Sequence, residues 1–259
     1  RGMDVSAFVR RELRFSISRV ARLCMLQGAI QRFLKKCQPG ELYYYPIEYP
    51  FGRMLSWAAA TASPATTRIG FQMSIVSHRR LEQFMAPDEA SPNAPFIGQA
   101  PIPDKVLAED ADAASIYESA GYQGVAVMDK VYRYEHLDHI VPQCQKGVHL
   151  IAPGLHDGAA MLEQLSAQIR KSAEVMWLIK PHPRADNQYL QSWENIKNVQ
   201  ISTQSINKLL SQVSEVFVTY SSVGLEAQKL GLKVTVISVP GRINPSPLLD
   251  AVGQQMASG

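Results

Sequence analysis

From about Ser6 to Lys36 apolar residues return every three or four positions, as Val9, Leu13, Ile17, Val20, Ile30 and Leu34 do. That period predicts one long amphipathic helix, with Pro39-Gly40 as its stop. Leu42 to Glu48 then reads as a short buried strand entering a loop, and Phe51 to about Ala62 as a second helix. Arg68 to Gln72 carries another strand. The stretch from Met85 to Pro103, rich in Pro, Ala and Asn, reads as a long surface loop. Asp104 to Ala108 is a strand, Ala111 to Gly121 a helix stopped by its glycine, and Val125 to Met128 a strand.

After a linker near Glu135 to Lys146 the rhythm becomes regular. Strands are expected at Val148–Ala152, Val175–Ile179, Val199–Ile201, Glu215–Thr219 and Lys233–Val239. Helices fall between them at about Gly158–Ser172, Gln188–Glu194, Ile206–Val213 and Ser222–Leu230, the last closed by Gly231. Alternation of β-branched strands with helices means a parallel, doubly wound α/β sheet. The expected organisation is an N-terminal domain over 1–138 and a C-terminal one over 146–259.

Composition narrows the class. With 46% apolar and 19% charged residues in 259, the chain is globular rather than disordered. A formal charge of +3 is too small to argue for nucleic acid. Cys24, Cys37 and Cys144 are scattered and form no C-x-x-C pair, so neither a disulfide framework nor a zinc site is expected. No apolar run is long enough for a bilayer. These features, with no leader pattern at Arg1-Gly2-Met3-Asp4, place the protein in the cytoplasm. A first residue other than Met suits a piece of a longer chain. The basic face of the first helix has two readings, a solvated surface or a peripheral contact with anionic lipid at the inner membrane face.

Ligands of such sheets bind beyond the carboxyl ends of the strands. Three segments fall there: Ala152-Pro153-Gly154, Lys180-Pro181-His182-Pro183-Arg184 and Tyr220-Ser221-Ser222-Val223-Gly224. Ser221 or Ser222 caps the next helix, whose N–H groups and the two hydroxyls suit a phosphate; a plain helix cap is the alternative. Glu226 is placed to accept from ribose hydroxyls. Two prolines fix His182, which titrates nearest neutrality and suits a phosphate or a leaving group, while Lys180 and Arg184 neutralise an anion. The alternative there is a strand terminator with a hydrogen-bonded His.

In the first half Glu48, framed by Pro46 and Pro50, is either a catalytic carboxylate or a solvated loop residue. Gln72, His78, Arg79 and Arg80 follow a strand and are candidates to touch donor or acceptor. His136, His139, His149 and His156 show no metal-ligand spacing and read as ordinary polar or core histidines. Asp110-Ala111-Asp112 reads as a helix cap rather than a metal ligand pair, so no metal site is expected.

The Lys180-Pro181-His182-Pro183 and Tyr220-Ser221-Ser222-x-Gly224-x-Glu226-Ala227 motifs resemble the His-Pro and Ser-Ser motifs of bacterial CMP-sugar transferases. That group, with the GT-B fold, includes Kdo, polysialic and other nonulosonic acid transferases of capsule and lipopolysaccharide synthesis. Tyr45-Pro46-Ile47-Glu48-Tyr49, Ile69-Gly70-Phe71-Gln72 and Arg133-Tyr134 are similar to surface-carbohydrate biosynthesis proteins. The likeness covers about residues 42–250. It implies two Rossmann-like domains with parallel sheets, the N-terminal one incomplete, and a donor between them.

The donor would be held by Gly154, Lys180, Pro183, Arg184, Tyr220, Ser221, Ser222 and Glu226. Catalysis would fall to Glu48 and His182, with Gln72, His78 and Arg133 as further contacts. It implies no metal and no cofactor beyond the CMP-sugar donor itself, and a glycan or lipid-linked glycan as acceptor. Met73 stands where relatives carry a His, so the likeness assigns no catalytic imidazole there. Transfer of glycerophosphate from CDP-glycerol, whose enzymes share similar signals, and a non-catalytic nucleotide-binding domain remain the alternatives.

Overall fold

The computed structural model describes residues 6–45, 50–80, 83–85, 89 and 101–249. The chain divides into two compact units, Arg1–Ser74 with Leu81–Lys130 and Ile75–Arg80 with Val131–Gly259.

The first unit holds a parallel four-stranded sheet in the order β1 (Glu41–Tyr44), β2 (Thr67–Phe71), β3 (Lys105–Ala108), β4 (Val125–Val127). Its helices are α1 (Ser6–Cys37), α2 (Pro50–Ala62) and α3 (Ala111–Ser119). Asp110 caps α3, its Oδ1 accepting from Ala113 N at 2.8 Å, and Gly121 takes φ +95° just past the helix. The last turns of α1 pack Ile30 and Leu34 against Met54, Ala58, Ala59 and Ala62 of α2. Small residues on α2 let the two backbones approach. Near the helices' ends Gln31 Nε2 donates to Thr61 Oγ1 at 2.8 Å, and Thr66 Oγ1 to the Pro39 carbonyl at 2.6 Å. The two C-termini therefore lie side by side and the helices run in the same direction.

The second unit holds a parallel five-stranded sheet in the order β7 (Val199–Ile201), β6 (Met176–Ile179), β5 (Val148–Ala152), β8 (Glu215–Val218), β9 (Lys233–Val236). Between strands run α4 (Gly158–Lys171), α5 (Ile206–Gln212) and α6 (Val223–Lys229). Side chains alternate across the strands, as a pleat requires. Ile151 and Phe217 join Trp177, Met161, Leu162, Leu165 and Ile169 on one face. Leu150, Ala152, Val216 and Val218 join Leu209, Leu210 and Ala227 on the other. Each large aliphatic or aromatic side chain so buried contributes about 1.5–3 kcal/mol, and apolar faces on both sides are what a doubly wound sheet needs.

Three local expectations change. The helix expected near Gln188–Glu194 is a single 3-10 turn, Gln188–Leu190. Asp186 Oδ1 there accepts from Gln188 N at 3.0 Å, and Leu190 and Trp193 are both drawn into the core. The expected linker opens with a 3-10 helix, Tyr132–His139. The last strand stops at Val236, because the Ile237 carbonyl accepts from Asn244 Nδ2 at 3.1 Å instead of continuing a ladder.

Candidate functional site

The winding of the second sheet reverses at β5 and β8. From β5 the chain goes outward through β6 to β7, then returns to the other side of β5 with β8 and β9. A crevice beyond the carboxyl ends is expected where the order reverses. At that place Gly154 N donates to Thr219 Oγ1 at 3.0 Å. The Tyr220 ring lies against Gly154 so closely that a Cβ on the glycine would stand 2.5 Å from Tyr220 Cζ. Only glycine leaves room for the ring. Burial and the Asp157 charge push the Tyr220 hydroxyl pKa up, while the nearby backbone N–H groups of His156 and Leu155 draw it partly back. The turn after β8 is thus fastened to the turn after β5.

The β5 turn leads into α4 through a buried carboxylate. Asp157 is 3% exposed and makes no side-chain cap bond to the helix it precedes. Its Oδ1 and the Tyr189 hydroxyl are buried with no hydrogen-bond partner. Arg242 Nη1 donates to the His156 carbonyl at 2.8 Å and braces the same turn.

The β6 turn starts from Lys180, whose N–H bonds the Ile151 carbonyl at 2.9 Å. His182 Nδ1 accepts from Arg184 N at 3.2 Å. That bond leaves the proton of the neutral ring on Nε2. Partial burial, then the charges of Arg184 and His156, hold the His182 pKa below its ordinary value. Near neutral pH its ring is therefore an uncharged Nε2–H donor, and the cationic charge at this turn comes from Lys180 and Arg184.

The β8 turn departs from the expected serine cap. Ser222 occupies the cap position of α6 with helical φ and ψ and no side-chain cap bond. Ser221 Oγ instead accepts from Val223 N at 3.4 Å. Glu226 has a side chain only 12% exposed, and its Oε2 lies 3.7 Å from His136 Nε2. That oxygen makes no hydrogen bond within the protein. Burial pushes the Glu226 pKa up, opposed by His136, Arg133 and the Ser222 hydroxyl. Arg133 and Lys229 both stand over the Tyr134 ring, at 4.7 and 4.6 Å from its centroid. A raised pKa on a carboxylate with a spare lone pair beside a strand end marks a candidate for binding.

The named residues therefore fall into three groups. Gly154, Lys180, His182, Pro183, Arg184, Tyr220, Ser221, Ser222 and Glu226 lie on turns or first helical turns at one edge of one sheet. His182 and the serine turn follow strands that are not neighbours: β5 lies between β6 and β8, so the two strand ends are two strand spacings, about 10 Å, apart. The His156 charge lowers the His182 pKa, and the backbone N–H of His156 lowers that of Tyr220. His78 and Arg79 are exposed on a segment held to the second unit by Ser77 Oγ, which donates to the Pro245 carbonyl at 2.9 Å. The neighbouring Asn244 bonds the Thr219 carbonyl at the end of β8, so this segment reaches the same edge.

Gln72 belongs to the first unit, buried, with Nε2 donating to the Ser74 carbonyl and Oε1 accepting from Glu109 N. Glu48 lies outside the described residues. His149 is a core histidine, its ring 4.9 Å from Trp177 and edge-on to it. The sequence alone reads His136 and His156 as ordinary polar or core histidines and does not single out Asp157 or Arg242. The first three follow or face a strand that closes the switch point, a position that single-residue spacing does not reveal. Among the described residues no group of three His, Cys, Asp or Glu side chains is placed to hold a metal ion.

No family model matches the sequence, and no curated protein matches it. Solved structures share the fold. The UDP-N-acetylglucosamine 2-epimerase of Rickettsia bellii superposes with TM-score 0.54 at 13% identity, over 90% of this chain and 69% of that one. MurG of Acinetobacter baumannii gives 0.54 at 10% identity, over 90% of this chain and 62% of MurG. The UDP-GlcNAc 2-epimerase of Neisseria meningitidis, solved bound to UDP-GlcNAc, gives 0.51 at 13%, over 91% and 74%. Both units are Rossmann-like with parallel sheets, the architecture of GT-B proteins.

Proposed function

We propose that the second unit binds a cytidine-nucleotide sugar and that the chain is a GT-B glycosyltransferase. In this reading it moves Kdo or another nonulosonic acid to a surface-polysaccharide or lipid-linked acceptor. The observation that carries the reading is the fastening of two turns at one sheet edge, with Tyr220 packed on Gly154 and Thr219 bonded to its N–H, beside the basic His182 turn at the end of the neighbouring strand. The two strand spacings, about 10 Å, between the ends of β6 and β8 suit a ligand that spans both turns rather than one held at a single atom.

The roles follow from the side chains. Lys180 and Arg184 neutralise the donor phosphate, the neutral His182 donates through Nε2, and Ser221 and Ser222 add hydroxyls. The buried, unpartnered Oε2 of Glu226 is the acceptor for ribose hydroxyls in this reading. α6 is only seven residues long, so its dipole adds little and the charged side chains carry the phosphate. As the glycosyl bond to its phosphate oxygen breaks, CMP departs with its charge stabilised by these fixed donors, a role in which preorganised groups are most effective. Glu48 is the proposed base toward the acceptor hydroxyl.

Calorimetric titration with CMP and with UDP tests the proposal. The neighbour solved with UDP-GlcNAc makes UDP the competing donor class. CMP is expected to bind at least tenfold tighter than UDP and to lose that binding in Ser221→Ala/Ser222→Ala. Equal affinity, or CMP binding untouched by the double substitution, overturns it.

A further inference from the structure

The first helix is much longer than anything that packs on it. At 1.5 Å per residue, the 32 residues of α1 span about 48 Å and the 13 of α2 about 20 Å. Because the two helices run in the same direction with Gln31 level with Thr61, Pro50 stands near residue 20 of α1, and about 21 Å at the start of α1 extends beyond α2. Burial along the helix agrees. Half-buried and buried positions begin at Leu23 and recur at Gln27, Ile30, Gln31 and Leu34, whereas every side chain described from Ser6 to Arg22 is exposed.

That free half is not polar. Val9, Leu13, Ile17 and Val20 are 44%, 58%, 70% and 52% exposed. At 100° per residue they fall within a stripe about 80° wide. The stripe is continuous with the one that meets α2 through Gln27, Gln31 and Leu34. Arg10 and Arg14 border it on one side and Arg22 lies round the back. Eight of the chain's 26 Lys and Arg but only one of its 23 Asp and Glu fall in α1, which leaves 18 basic against 22 acidic groups elsewhere. The net positive charge of the protein therefore resides in this helix.

We propose that the first half of α1, Ser6–Arg22, is a docking surface for an anionic lipid bilayer. It would lie along the headgroups with Val9, Leu13, Ile17 and Val20 turned into the acyl boundary. A narrow apolar stripe beside arginines is the pattern of a helix lying in an interface. None of the helices among the described residues is long and apolar enough to cross a membrane, so the contact is lateral. Pairing with a second copy is disfavoured by charge, since two such helices would bring their arginines together in water. This inference stands apart from the nucleotide site, and its failure would leave that reading untouched.

Co-sedimentation of the full chain with vesicles tests it. Vesicles of phosphatidylglycerol and phosphatidylcholine are compared with phosphatidylcholine alone, at 0.05 and 0.5 M salt. Binding is expected to be at least tenfold stronger on the anionic vesicles and to fall at high salt. Arg10→Glu/Arg14→Glu should reduce it to the level of phosphatidylcholine, since each arginine near such a surface is worth about fivefold. Leu13→Asn/Ile17→Asn should abolish it with the helix content by circular dichroism retained. Wild-type protein that ignores anionic vesicles, or variants that bind like wild type, overturn the proposal. So does a concentration-dependent dimer dissolved by Leu13→Asn/Ile17→Asn without vesicle binding, an outcome that assigns the stripe to a second copy.

Discussion

Replacing Gly154 by Ala adds one methyl group at the junction of β5 and β8. The new Cβ would lie 2.5 Å from Tyr220 Cζ, 2.7 Å from Tyr220 Cε1 and 3.0 Å from Asp157 Oδ1. Carbon atoms rest about 3.5–4.0 Å apart, so the ring must retreat by about 1 Å. The Tyr220 hydroxyl lies beside the backbone of Leu155 and His156, so the ring cannot retreat without disturbing that turn. Overpacking of this kind costs about 1–3 kcal/mol, which lowers the melting midpoint by roughly 2–12 °C in a unit of this size. A double-mutant cycle with Tyr220→Ala, read by thermal unfolding, isolates the contact. Once the ring is gone the methyl group has room, so Gly154→Ala should cost almost nothing further and the coupling energy should exceed about 1 kcal/mol. Strict additivity of the two substitutions would refute the packing of Tyr220 on Gly154 and, with it, the fastening of the two turns.

Glu226→Gln should weaken CMP binding about 10- to 150-fold, the loss of one charged hydrogen-bond acceptor, as read by calorimetry. Its melting midpoint should hold or rise, because a buried carboxylate whose pKa is pushed up is disfavoured in its charged form; a falling midpoint with unchanged binding would make Glu226 a structural strut. His149 gives a pH signature. Burial, which outweighs the charge of Glu215, holds its pKa below the ordinary 6.5, with Lys233 pushing the same way. The unfolded chain thus binds more protons, and the stability that His149 contributes is full above pH 6.5 and fades as pH falls toward its folded pKa. A series of denaturant melts from pH 7.5 to 5 should show that decline, and His149→Phe should flatten it.

The fold was legible because two periodicities are clean. The three- to four-residue period of Ile30, Leu34 and their neighbours marks α1, and the β-branched runs at Val148–Ala152 and Glu215–Val218 mark central strands buried on both faces. The short turn at Gln188–Leu190 was read as a longer helix since its composition is helical, whereas the structure spends Leu190 and Trp193 on the core of α4. At the site, prolines and serines announced the turns after β6 and β8. Their chemistry was less legible. Ser222 has the identity of a cap residue, yet it takes helical φ and ψ and makes no side-chain cap bond, and it is Ser221 that accepts from Val223 N. His136 and His156 carry no local pattern at all. Their importance comes from strand order, which places the β5 turn between the other two and sets the 3-10 helix Tyr132–His139 against α6.

Hydrogen–deuterium exchange of the full chain, with and without saturating CMP, addresses the anion cradle most directly. Protection is expected together at three separated stretches, 152–158, 180–185 and 219–226, and nowhere else to the same degree. Protection confined to one of them, or concentrated in the first unit, would contradict the account.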